Sequence, residues 1–94
     1  MSAIYKYSLK SQAEQIIEMP AGAEFLCVKT QRDTPCLWAM VDPDQPMMNF
    51  RFYVVGTGWH VPSDPCSYIG TWLTLGESLV WHLFVDLGEE PEDA

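Results

Sequence analysis

Residues 68–87 read YIGTWLTLGESLVWHLFVDL. Two apolar runs rich in β-branched and aromatic residues flank the short stretch LGES, which is the pattern of a β-hairpin. LGES fits a two-residue type II′ turn, with Gly76 at the position that needs a positive φ. That turn places Leu75 opposite Ser78, Thr74 opposite Leu79, Trp72 opposite Trp81 and Gly70 opposite Leu83. It predicts Trp72 and Trp81 as a non-hydrogen-bonded pair, where side chains come closest. Ile69, Leu73, Val80 and Phe84 fall on the other face, with Thr71 opposite His82. Both faces are therefore largely apolar, and in LVWHLFV only His82 breaks the run. A solvated outer strand alternates with polar residues. The hairpin is then either central in a two-layer structure or covered on one face by a partner. Trp81, His82 and Phe84 are the interface candidates, and a homodimer or higher homo-oligomer is expected.

Outward from that hairpin the period stays at two rather than 3.6. In IYKYSL, Tyr5, Tyr7 and Leu9 share one face and Lys6 and Ser8 the other. EQIIEM follows the polar KSQA, which predicts a first hairpin. MPAGAE reads as a turn, with Pro20 presetting φ and Gly22 closing it. FLCVKT and CLWAMV flank QRDTP as a second hairpin. DPDQP ends that strand, since Pro43 and Pro46 cannot donate to a ladder. FRFYVV is a further strand. The fold expected is all-β: a small antiparallel β-sandwich or barrel of about seven strands built from hairpins. It forms one domain over residues 1–88, followed by an acidic tail over 89–94.

The chain has 94 residues, 48% of them hydrophobic and 13% aromatic, which suffices for one compact core. Its net charge is −8, but four of the acids lie in the final EEPEDA. Without them nine acids stand against five bases, and the five are scattered. No direct nucleic-acid contact is expected from so few cations. No apolar run approaches the length of a membrane span, and MSAIYKYSLK lacks the basic and apolar regions of a signal peptide. No membrane partner is expected, and a cytoplasmic location is. Cys27, Cys36 and Cys66 have no spacing of a disulfide framework.

YVVGTGWHVPSD, residues 53–64, holds the one glycine-rich loop worth testing for chemistry. A phosphate loop needs a helix start after it. Pro62 and Pro65 forbid one, and no Lys–Ser/Thr pair follows the second glycine. The stretch reads as a turn, with a small anion-binding nest of backbone N–H groups as the alternative. The candidate ligand-binding residues are Tyr53, Gly56, Thr57, Gly58, Trp59 and His60, with backbone donors for an anion and aromatic faces for stacking. Trp59 falls in a loop, either exposed as a binding anchor or folded back over the core.

His60, Cys66 and His82 are metal-ligand types without metal spacing, so no metal site and no cofactor are expected. His82 reads instead as a core residue hydrogen-bonded to a neighbour such as Thr71. Cys36 and Cys66 each follow a proline, without a basic neighbour to activate them. Asp42 and Asp44 in VDPDQP read as turn formers rather than paired carboxylates. No catalytic residue is assigned, and an enzyme is not expected. A small hydrolase using His60 or His82 with a carboxylate is the last of three readings.

IYKY, MPAGAEFLCV, PCLWAMVDP, GTG with a nearby histidine, YIGT and LVWHLF occur in that order between Ile4 and about Val85. In these pieces the chain resembles an uncharacterised family of small single-domain proteins of tailed bacteriophages and prophages. Trp59 and the acidic tail depart from the usual pattern. The resemblance implies an accessory protein in the cytoplasm of a bacterial host. It would bind a host protein or a small nucleotide signal, to counter host defence or redirect host function. A small virion structural or assembly component is the alternative.

Overall fold

Seven strands alternate inward apolar and outward side chains: β1 Ala3–Ser8, β2 Glu14–Pro20, β3 Glu24–Gln31, β4 Thr34–Val41, β5 Met47–Gly56, β6 Cys66–Thr74 and β7 Leu79–Asp86. The structure, a computed structural model, describes residues 1–88 and the backbone of Glu90–Pro91. Those two residues form a short β8 that pairs with Met48 and Asn49 of β5. The rest of the acidic tail lies outside the described residues. Among the described residues there is no helix.

The strands form two antiparallel sheets, β1-β4-β3 and β2-β5-β7-β6, and no closed barrel. Leu37, Ala39 and Val41 of β4 face Met19, Phe50, Phe52, Leu83 and Val85 across the core. Phe25 of β3 sets its ring nearly perpendicular to Phe50 and Phe52, at 5.6 and 5.4 Å. Such edge-to-face packing suits the ring quadrupoles. The sheets approach closely where β3 meets β6. Each of these strands carries a bulge there, between Phe25 and Cys27 and between Tyr68 and Gly70. Bulges bend strands, and Gly70 lets Val28 lie against the β6 backbone.

The β3–β4 hairpin forms as the sequence predicts. Arg32 and Asp33 both have positive φ, 52° and 66°, as a type I′ turn requires. The β6–β7 partners are those derived above, from Gly70↔Leu83 through Trp72↔Trp81 to Thr74↔Leu79. The connection differs from the expected type II′ turn. Strand pairing stops at Thr74 and Leu79, so the loop has four residues, and φ is positive at Leu75, Gly76 and Glu77. A two-residue and a four-residue loop share one centre, so the partners survive while the hydrogen-bonding phase inverts. The Val80 carbonyl accepts from the Thr57 amide at 3.1 Å and so faces β5. Leu73 and Val80 are therefore the non-hydrogen-bonded pair, and Trp72 and Trp81 are the hydrogen-bonded one.

The expected first hairpin is absent. β1 pairs with β4 (Ala3↔Val41) and β2 with β5 (Glu14↔Tyr53), so the polar link crosses from one sheet to the other. Gln15 braces the link. It is the buried polar side chain of the core, and its Oε1 accepts from Lys10 N–H at 2.9 Å. Its Nε2 donates to the carbonyls of Lys10 and Gln12, both at 3.0 Å. Backbone bonds serve the rest of the link: Leu9 N–H donates to the Pro35 carbonyl of β4 at 2.9 Å, and the Ala13 carbonyl accepts from Val54 N–H of β5 at 2.8 Å, so its two ends are tied to different sheets.

Candidate functional site: a tryptophan-lined groove

The open end of the sandwich holds a groove of about 370 Å³. Register builds its floor. Gly56, Trp81 and Trp72 stand opposite one another on β5, β7 and β6, facing the core side of the sheet. Trp59 lies over the first of them. The chain after β5 makes a turn in which Trp59 N–H donates to the Gly56 carbonyl at 3.0 Å, with Gly58 at φ +93°. That is the type II pattern, in which the third residue is glycine. GTG is thus a turn. A Cβ at Gly56 would lie 2.9 Å from Trp59 Cε2, so the missing side chain is what lets the indole settle there.

Trp59 and Trp81 meet at 5.5 Å with their planes 85° apart. Trp81 Nε1–H donates to Thr74 Oγ1 at 2.9 Å, which fixes its ring. Trp72 is buried, Trp81 half-buried, and Trp59 stays 57% exposed. Val54 and Pro35 extend the apolar wall, the Lys10–Ala13 link held by Gln15 forms another, and Asp33 stands at the β3–β4 turn. Among the described residues, Lys10 and Asp33 are the only ionisable groups lining the groove.

The other candidates lie elsewhere. His82 projects from the opposite face of the same sheet. Its Nε2 is 2.8 Å from Thr57 Oγ1, and its Nδ1 is 2.9 Å from Tyr68 Oη and 3.1 Å from Thr71 Oγ1. Tyr68 and Thr71 hydroxyls are themselves hydrogen-bonded. The expected Thr71 partner is thus present, within a wider set of hydroxyls, but the ring is half-buried on the outer face and not in the core, because it alternates with the inward Trp81 and Leu83. Tyr68 also packs edge-on to Phe84 at 5.2 Å. Tyr53, on this outer face too, reaches Asp86 Oδ2 at 3.5 Å. Burial, then Asp86 and Asp64, push the Tyr53 phenol up. The same causes raise the Cys66 thiol. His60 is exposed beyond the turn. The six loop candidates are therefore divided between faces: Gly56 and Trp59 at the groove, Thr57 and Tyr53 on the outer side. Trp81 is likewise separated from His82 and Phe84. Among the described residues no three His, Cys, Asp or Glu side chains gather as a metal site.

Asp42 forms a turn, as expected: Oδ1 accepts from Asp44 N–H at 3.1 Å, and Gln45 N–H donates to the Asp42 carbonyl at 3.0 Å. The sequence reading took Trp72 and Trp81 as a packing pair and did not place Gln15, Pro35 or Asp33 at a site. The available signal was a glycine ending a strand, three residues before an indole and opposite a second one.

No curated protein and no solved structure matches this chain. A family model described as a domain of unknown function, DUF7352, matches residues 1–94, and the chain belongs to that family.

Proposed function

We propose that the chain is a non-enzymatic binding protein, an accessory factor of the phage kind its sequence resembles, directed at a host target. The groove beside β5 is its contact site. The observation that carries this reading is the set of three indoles, Trp59, Trp72 and Trp81, around one preformed groove. Apolar grooves with few polar groups are the usual form of a small-ligand site. Partly exposed tryptophans are also the commonest anchors of a protein contact. A raised Cys66 thiol is a poor nucleophile at neutral pH, which also favours binding over catalysis at that side chain.

The protein acts as a homodimer in this reading. β1, β2, β3 and β6 each have one hydrogen-bonded neighbour strand; β3 and β6 lie against each other, which leaves the edges of β1 and β2 available to a second copy.

Native mass spectrometry of the purified protein, with affinity capture from bacterial host extract, tests the groove. A retained ligand or protein that is lost on Trp59→Ala supports the reading. Equal retention by Trp59→Ala, or nothing retained by either form, sinks it.

A further inference from the structure

We infer that the groove takes a small organic cation of the quaternary ammonium class, with a headgroup of choline size. This rests on the groove being the contact site. The first argument is shape. Trp59 and Trp81 stand at 85° and touch each other, with centroids 5.5 Å apart. A flat nucleobase stacks best in a parallel-walled slot about twice a stacking distance wide, and these two rings leave no such slot. Two perpendicular faces make a corner, and a corner suits a rounded group that touches both. A trimethylammonium group has that form. Its diffuse positive charge is attracted to the electron-rich faces of indoles, the best of the aromatic partners for a cation.

Charge points the same way. Asp33 supplies a carboxylate at the groove, held at the tip of a type I′ turn by its left-handed backbone, φ 66°. Even without the final EEPEDA the chain carries nine acids against five bases, so its field gathers cations and repels phosphates. Lys10 is the one opposing charge in the lining. Its backbone N–H and carbonyl are already taken by Gln15, so a phosphate would find only its flexible, exposed ammonium. The size is adequate: about 370 Å³ lies at the small end of ligand sites.

Titration of choline into the full chain, followed by tryptophan fluorescence and by the indole N–H signals in NMR, tests this. The uncharged isostere 3,3-dimethyl-1-butanol and AMP serve as the other two arms. Saturable choline binding, at least about tenfold tighter than the isostere, is expected. Trp59→Ala should weaken choline at least about tenfold, and Asp33→Asn should weaken it severalfold. Trp59 is largely exposed, so its variant should melt with the parent, and melting is measured alongside. Equal binding of choline and its isostere overturns the inference, because the groove is then merely apolar. Preferential binding of AMP, or no saturation with choline, overturns it as well. If choline fails while native mass spectrometry shows a Trp59-dependent ligand, the cation class falls and the binding reading stands.

Discussion

A methyl group added at Gly70 would sit 2.9 Å from Val28 Cγ1. Val28 is buried, short and branched, so it cannot swing away. Gly70→Ala should therefore cost about 1–3 kcal/mol in urea unfolding, the usual penalty of overpacking a core. A methyl at Gly56 meets an equally close contact, 2.9 Å, but with the indole of the exposed Trp59. That ring can leave. Gly56→Ala should change stability by no more than about 0.5 kcal/mol, while red-shifting tryptophan emission and opening the groove. If both variants destabilise equally, Trp59 is held more firmly than its exposure indicates. Asp42 adds a pH signature. The backbone N–H of Asp44, then Gln45 and the N-terminal ammonium, hold its carboxyl below the usual carboxylate range. A lowered folded pKa gives stability that is present above the unfolded value and is lost as pH falls through the folded one. The deficit of Asp42→Asn should thus be visible at neutral pH and vanish in strong acid. A deficit that persists at about pH 2 would mean that charge is not its cause.

The β6–β7 loop stores strain at the scale of an element. Leu75, a bulky residue, holds φ 52° and is 73% exposed, and Glu77 holds φ 73°. Left-handed backbone costs an ordinary L-residue about 1 kcal/mol. Leu75→Gly removes that cost with little packing lost, though glycine adds freedom to the unfolded chain. A net gain of up to about 1 kcal/mol should raise the midpoint of thermal melting by several degrees for a domain of this size. Gly76→Val, at φ 61°, should lower it. An unchanged or lower melting point for Leu75→Gly would mean the loop is not strained. This element also shows what sequence can reveal. Its partners follow from counting outward from a turn, and two turn lengths with one centre give the same pairs. The hydrogen-bond phase needs the loop length itself, which LGES does not specify. For β1 and β2 the alternation of Tyr7 and Leu9, or Ile17 and Met19, tells which side is buried but not which strand lies alongside. The pairing of β1 with β4 and of β2 with β5 distinguishes a sheet-crossing link from a hairpin, and one polar residue in EQIIEM carries no mark of the bracing role that Gln15 plays there. The groove was obscured for the same reason: Trp59, Trp81, Pro35 and Asp33 meet only once both sheets are in place.

At the scale of the whole molecule, the far-ultraviolet circular dichroism of this chain should show strand and almost no helix. Its association should follow the open edges. On β1, Ile4 is 62% exposed and Tyr5 42% exposed beside an unpaired backbone. Light scattering over a range of concentrations should show a dimer, and Ile4→Lys, a charge of the kind that blunts natural sheet edges, should return it to a monomer. A monomeric mass at high concentration would end the dimer proposal.

The exchange of partners between the first two strands also sets an order in time. β3–β4 and β6–β7 close over short loops, while β1 and β2 must wait for segments more than a helical domain's usual contact distance away, Val41 for Ala3 and Tyr53 for Glu14. During synthesis the N-terminal strands emerge before any partner exists for them. The two hairpins should thus form the folding nucleus, with refolding in the slower range of long-range β topologies. Substitutions in β1 and β2 would then act mainly by hastening unfolding, and those in the two hairpins by slowing folding.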